Sequence, residues 1–190
     1  MTLIQLSQQE VGEEVVWIDK AKADPVHFEP LYNRYFNPVF RFVYQRMDSK
    51  DATADVVSQV FLKALMNISK FQTRGLPFFA WLCRIAISET ANYYNRSRKF
   101  RTINIETTGI NEMAENFEME ISEELQQEII EAIQKLDEND TLLIEMRYFE
   151  GRPFREIGEI LNITENNAKV KLYRVLDKVK KLVSHENSMS

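Results

Sequence analysis

Residues 154–183 read FREIGEILNITENNAKVKLYRVLDKVKKLV, and this stretch decides the fold. Ile157, Ile160 and Leu161 share one face of a first helix, predicted over Phe154 to Leu161. Asn162-Ile163-Thr164 is the turn. Asn162 is the residue best suited to leave the right-handed region, because Asn tolerates the left-handed conformation better than most. Thr164 is a natural N-cap, with Glu165 beside it in the first turn of the next helix. That second helix carries Ala168, Leu172, Val175, Leu176, Val179, Leu182 and Val183 as an apolar stripe at helical spacing. Lys171, Arg174, Lys178 and Lys181 stand away from the stripe. Gly158 gives up about 1 kcal/mol of helix propensity in mid-helix, which is reasonable where a second helix crosses close against it. Helix, tight turn and longer helix with a basic outer face form the pattern of a helix-turn-helix DNA reader. The competing interpretation is an amphipathic helical hairpin with solvated lysines.

The charge distribution bears on that choice. The formal charge of the 190 residues is −5, which is awkward for a protein that binds DNA alone, since neutralising phosphates supplies much of such affinity. The charge is sorted along the chain, however. Lys169, Lys171, Arg174, Lys178, Lys180 and Lys181 face only Glu165 and Asp177 as acids between Asn162 and Val183. Arg98, Lys99 and Arg101 make a second basic cluster. Between Thr102 and Glu124 there are seven acids and no base. Two basic surfaces separated by an acidic connector suit a weak DNA binder that a larger partner delivers to DNA.

Five Gly and five Pro are too few for a turn-rich all-β fold. Cys83 is the one cysteine, so no internal disulfide can form, which fits a reducing compartment. No apolar run approaches the roughly 18 residues of a membrane helix, and no signal-peptide pattern is read at the start. A cytoplasmic protein is expected, with no membrane insertion.

Met1 to Asp24 is polar, then mildly amphipathic around Val15, Val16 and Ile18, and predicts a short helix ending near Asp24-Pro25. Phe28 to Met47 is dense in aromatics. Leu31, Tyr35, Val39, Phe42 and Val43 approximate one helical face, with Asn37-Pro38 as an interruption. Asp51 to Ile68 predicts a helix whose stripe of Val56, Val57, Val60, Phe61, Ala64, Leu65 and Ile68 buries it in its own domain. Leu62 and Met66 lie off that stripe beside Asp55, Ser58 and Gln59. Apolar anchors among directional polar groups make a partner surface; scattered surface hydrophobes would look the same.

Phe71 to Pro77 is a loop by its Gly and Pro. Phe78 to Arg98 reads as a helix, with Trp81, Ile85 and Ser88 on one side and Tyr93, Tyr94, Asn95, Arg96 and Arg98 at its far end. Aromatics interleaved with cations suit single-stranded nucleic acid, where stacking is worth roughly 1–3 kcal/mol per base. The competing interpretation makes Trp81 and the tyrosines core or helix-packing residues, and for Trp81 the core is the favoured one. Thr102 to Ser122 is acidic, with Gly109 and no sustained period, and reads as a linker. From Ser122 helical period returns through Leu125, Ile129, Ile130 and Ile133. Asp137-Glu138-Asn139-Asp140 breaks the pattern and caps a helix over Thr141 to Phe149, and Glu150-Gly151-Arg152-Pro153 is a turn. The expected fold is all-α: a helical domain over 1–100, an acidic linker over 101–122, and a second helical domain over 123–185.

The chain resembles the extracytoplasmic-function (ECF, group 4) sigma factors of bacterial RNA polymerase, in the sigma-70 family. The resemblance rests on FEPLYNRYFNPVFRFV (28–43), DVVSQVFLKAL (55–65), FFAWLCRIAISETANYYNRSRK (78–99) and the run from Ala132 to Leu182. It implies region 2 in the first domain and region 4 in the second. Asp55, Ser58, Gln59, Leu62 and Met66 would dock on the clamp helices of the polymerase β′ subunit. Arg74, Trp81, Ser88, Asn92, Tyr93, Arg96, Arg98 and Lys99 would hold the melted minus-ten element. Thr164, Glu165, Asn166, Asn167, Lys169, Lys171, Tyr173 and Arg174 would meet the minus-thirty-five duplex. The implied partners are core RNA polymerase (β′ clamp helices and β flap), promoter DNA and an anti-sigma factor, and the linker would thread the polymerase channel.

Several positions depart from the family's usual pattern. Ser58-Gln59 stands where Gln-Glu is common, Ser88 where Asn is, Asn92 where Asp is, and Asn166-Asn167 where Gly-Thr is. Asn pairs well with adenine edges.

Two functions from other classes are weighed against this. One is an autonomous helix-turn-helix regulator with an N-terminal sensor or dimerisation domain. The other is an enzyme. Two histidines, His27 and His185, one cysteine on an apolar helix and no Gly-rich phosphate loop leave no catalytic or metal constellation and imply no cofactor.

Overall fold

The computed structural model describes residues 8–72, 77–97 and 105–186. They fall into two compact units that divide between Ile103 and Asn104. Helices dominate both, and no strand occurs among the described residues.

In the first unit α1 spans Gln8–Ala23. Asp24 ends it, and the Asp24 carboxylate accepts from the Val26 N–H to start a short 3₁₀ turn, Pro25–Phe28. Helix α2, Glu29–Tyr44, buries the expected face of Leu31, Tyr35, Val39, Phe42 and Val43. Pro38 lies inside this helix, so Asn37-Pro38 does not interrupt it. A proline there forfeits a backbone hydrogen bond and costs about 3 kcal/mol. The buried face outweighs that cost, together with a ladder of rings at Tyr32, Phe36, Phe40 and Tyr44 whose centroids are 5.4, 6.0 and 6.2 Å apart. The Tyr35 hydroxyl donates to the Glu14 carboxylate and joins α1 to α2. Burial holds that phenol well above its ordinary range.

Helix α3 is Lys50–Asn67, capped by Ser49, whose hydroxyl accepts from the Ala52 N–H at 3.2 Å. Helix α4 is Phe78–Ser97. Phe78, fully buried, gathers Phe28, Tyr35, Phe71 and Trp81 around it, the Phe71 ring 5.1 Å away edge-on.

The second unit contains a difference from the sequence reading. The expected linker carries a helix, α5, Thr107–Asn116. Ile110, Met113, Ala114 and Phe117 are all buried, at helical spacing. Gly109 marks a close approach: a Cβ there would lie 2.7 Å from both the Phe149 ring and the Tyr148 carbonyl oxygen. The Asn116 amide donates to the Tyr148 hydroxyl at 3.2 Å, and Gln126 donates to Asn111 at 2.8 Å. Glu118, at φ 58°, ends the helix in the left-handed region.

Helix α6, Glu123–Gln134, is capped by Ser122. Helix α7, Glu138–Ile144, is capped by Asp137, whose carboxylate accepts from the Asn139 and Asp140 N–H groups, both at 3.0 Å. The expected helix over Thr141 to Phe149 is only partly regular. It begins as α7 and widens into a π-type segment over Glu145–Phe149. The extra residue per turn buries Met146, Tyr148 and Phe149 together. The following turn contains a buried ion cluster, in which the Arg152 guanidinium meets Glu150 at 2.5 Å and Glu156 at 3.5 Å.

Helix α8, Phe154–Leu161, and the turn after it are as expected, and α9, Glu165–Glu186, runs three residues past the expected end at Val183. Asn162 has φ 57° and ψ 43°, and its N–H donates to the Gly158 carbonyl. A Cβ on Gly158 would lie 2.8 Å from the Ile163 carbonyl oxygen and 3.2 Å from the Glu165 nitrogen. Only glycine lets the two helices come this close without displacing backbone.

Candidate nucleic-acid and partner interfaces

Ala168, Leu172, Val175, Leu176, Val179 and Val183 are buried and seat α9 against its own unit. That fixes which side chains face outward. Glu165, Asn166, Asn167, Lys169, Lys171, Tyr173 and Arg174 are all exposed, as the sequence pattern expects. Thr164 is partly committed, its hydroxyl accepting from the Asn167 N–H at 3.2 Å as the helix cap. The Lys169 ammonium sits 5.9 Å from the centre of the Tyr173 ring.

Lys171 and Arg174, with Lys178, also line a cavity of about 420 Å³ closed by α7 and by Leu161 and Ile163 of the turn. Lys178 pairs there with Asp140, and that carboxylate's hydrogen bond and charge hold the Lys178 ammonium above its ordinary range. Asp140 was not among the candidates. Its partner lies 38 residues away, and no local pattern announces so distant a pair.

In the first unit the α3 candidates divide. Asp55, Ser58 and Gln59 line a cleft of about 600 Å³ between α3 and α4, together with Asn92, Tyr93 and Arg96. Residues assigned separately to a protein partner and to DNA therefore share one groove. Its floor is held by Glu89, which is 6 % exposed and takes a 2.5 Å ion pair from Lys63 and a 3.1 Å hydrogen bond from the Asn92 amide. Glu89 and Lys63 were missed because neither breaks its helix's pattern. Only the crossing of α3 and α4 joins them.

Leu62 and Met66 do not line the cleft. They are 49 % and 72 % exposed, on a helix whose Val56, Val57, Val60, Phe61 and Ala64 are buried. Two large apolar side chains thus stand in water beside polar neighbours, although their own core has no place for them.

On α4, Ser88 and Arg96 are exposed while Trp81, Ile85, Asn92 and Tyr93 are half-buried. Spacings of three and four place Trp81, Ile85, Ser88 and Asn92 along one stripe of the helix. The Trp81 ring leans on Phe71 at 5.0 Å and Phe78 at 5.4 Å, leaving part of its surface accessible. The two tyrosines separate: Tyr93 opens onto the cleft, whereas Tyr94 is buried and donates its hydroxyl to the Arg46 carbonyl at 3.1 Å. Arg74, Arg98 and Lys99 lie outside the described residues. No group of three or more His, Cys, Asp or Glu side chains suited to a metal ion occurs among the described residues, and none of their helices is long and apolar enough to cross a membrane.

Comparison with known proteins places both units. The family described as Sigma-70 region 2 matches residues 31–100, and Sigma-70, region 4 matches residues 126–179. The two matches together cover well over half of the chain. The ECF RNA polymerase sigma factor BldN of Streptomyces coelicolor is 27% identical over 169 residues, 87% of this chain and 64% of that protein. The ECF RNA polymerase sigma-E factor of Escherichia coli (strain K12) is 26% identical over 185 residues, 92% of this chain and 93% of that protein. Among solved structures, CnrH in complex with the cytosolic domain of CnrY shares the fold, with a TM-score of 0.54, 18% identity, and coverage of 90% of this chain and 96% of that one.

Proposed function

The chain belongs to the sigma-70 family, in its ECF branch, and on that premise we propose that it is a promoter-specificity subunit that binds core RNA polymerase and directs it to particular promoters. Its contribution is non-enzymatic. It supplies contacts that hold duplex DNA upstream and keep bases captured once they leave the stack.

The observation that carries this reading is the outer face of α3. Leu62 and Met66 are left in water beside polar groups, on a unit that the region 2 family matches. Apolar anchors ringed by polar side chains are what a docking helix presents to a protein partner. The partner proposed is the β′ clamp helices, with Asp55, Ser58 and Gln59 at the rim. Trp81, Ser88, Asn92, Tyr93 and Arg96 of α4 take the melted minus-ten strand, with Arg74, Arg98 and Lys99 as further phosphate contacts. The exposed face of α9 enters the major groove at the minus-thirty-five element, and the β flap meets the same unit. An anti-sigma factor covering the α3 face is the proposed regulator; CnrH, which shares the fold, was solved with the cytosolic domain of CnrY bound. The protein acts where the polymerase acts, in the cytoplasm.

The test is reconstitution. Full-length protein and core polymerase are incubated with genomic DNA, and transcript starts are mapped. Discrete starts sharing two upstream sequence blocks are expected. A protein that neither binds core polymerase nor changes where it starts is no sigma factor.

A further inference from the structure

Val170 is 39 % exposed on α9. Ala168 and Leu172, two residues to either side, are buried. Two steps of a 3.6-residue period turn the helix by more than half, so Val170 points away from the core, at the middle of the outward face. Asn166, one turn before it, and Arg174, one turn after, are exposed on the same side.

The fold has no use for a valine there. Valine is a poorer helix former than the lysines and glutamates common on exposed helical faces. Among the described side chains of α9, the other large exposed apolar residue is Tyr173, and its ring already has the Lys169 ammonium 5.9 Å away. A branched aliphatic group with no partner, flanked by amides and a guanidinium, complements one feature of a major groove: the C5-methyl of thymine, the apolar mark on an otherwise polar edge.

We infer that Val170 is a specificity-determining residue that packs on a thymine methyl within the upstream duplex. The inference rests on the reading of α9 as the groove-entering helix. From Asn166 to Arg174 is roughly 12 Å of helix, or about three to four base steps. The thymine therefore lies between the base pair met by Asn166 or Asn167 and the one met by Arg174. Asn prefers adenine edges, so the block read by the first turns of α9 is rich in A·T pairs.

The experiment uses holoenzyme reconstituted from full-length protein and core polymerase. A duplex pool randomised upstream of a fixed start region is selected for binding. Each thymine of the selected upstream block is then replaced by deoxyuridine, which removes the methyl and keeps the pairing. At one position wild type loses about three- to fourfold in affinity, the worth of one buried methyl, while Val170→Ser is indifferent to the change. Both proteins keep equal affinity for core polymerase and the same thermal midpoint, since position 170 is exposed. Indifference of wild type at every thymine, equal losses in both proteins, or a selected block without thymine overturns the inference and leaves the promoter reading standing. Selection of no upstream sequence by a complex that does form overturns the groove-entering reading itself, and the thymine contact with it.

Discussion

A Cβ built on Gly158 would sit 2.8 Å from the backbone carbonyl oxygen of Ile163. The clash is with main chain, which cannot rotate aside as a side chain would. Gly158→Ala gains helix propensity of about 1 kcal/mol, yet forces the α8–α9 turn apart. Overpacking of this kind costs about 1–3 kcal/mol, and because the atoms met are main chain the upper part of that range applies, so the net loss is up to about 2 kcal/mol. Urea unfolding of the full chain should show a lower midpoint, and upstream DNA binding should fall with it. An unchanged midpoint would mean that the turn yields more easily than this geometry allows.

Gly109 is a parallel case in a less expected place. Its Cβ would meet the Phe149 ring and the Tyr148 carbonyl oxygen, each at 2.7 Å. Gly109→Ala should undock α5 rather than unfold the unit, because α5 is a short helix laid on its surface. Amide hydrogen exchange over residues 107–117 should speed up markedly, while the amides of α9 keep most of their protection.

Glu118 follows α5 at φ 58°, a backbone conformation that costs a residue with a side chain about 1–2 kcal/mol. The Met119 N–H donates to the Ala114 carbonyl at 3.2 Å and holds it there. Glu118→Gly should relieve the strain and, after glycine's own entropy, add about 1 kcal/mol of stability. A higher urea midpoint with an unchanged slope is the expected reading.

These positions show what the sequence revealed and what it concealed. The α8–α9 turn was readable because its determinants are local. Asn162 adopts the left-handed geometry, Thr164 caps the next helix, and Gly158 marks the crossing, all within seven residues. Helix α5 was hidden in plain pattern: Ile110, Met113, Ala114 and Phe117 have helical spacing, but the acids around them and Gly109 suggested a linker. Pro38 argued for a break that the ring ladder on α2 overrides. The π segment after α7 has no local signature. Neither does the α3–α4 cleft, since which face of one helix meets which face of another is set by tertiary packing.

Asp137 makes a pH prediction. The Asp140 N–H first, and the Asn139 N–H with it, stabilise the carboxylate and hold it below the ordinary value of 3.8. A depressed carboxyl binds fewer protons folded than unfolded, so its contribution is present above that ordinary value and is lost as pH falls through the folded one. Asp137→Ala should therefore cost about 1 kcal/mol at neutral pH, and the difference from wild type should shrink as pH drops below 3.8. Asp137→Asn keeps the cap and lacks the charge, so its own stability should carry no such pH term. Urea midpoints at a series of pH values would check all three proteins; a cost for Asp137→Ala that is flat with pH would show that the charge of the carboxylate adds nothing to the cap.

The two proposed interfaces can be separated by mutation because their residues belong to different units. Leu62 is 49 % exposed, so Leu62→Asp should leave folding intact while placing a charge where an apolar anchor is needed. Loss of such an anchor costs about 2 kcal/mol, or roughly 30-fold, in core polymerase binding. Arg174→Ala should leave that binding untouched and weaken the upstream promoter contact. How it weakens distinguishes its target. A base contact would cost about 1–3 kcal/mol and relax the preference at one position. A phosphate contact would weaken all sequences alike and lower the salt slope by about one. Competition binding to core polymerase measures the first effect, and salt-dependent binding to promoter duplex, with core polymerase saturated by each variant, measures the second. Should Arg174→Ala depress core polymerase binding as much as promoter binding, the division of labour between α3 and α9 would fail.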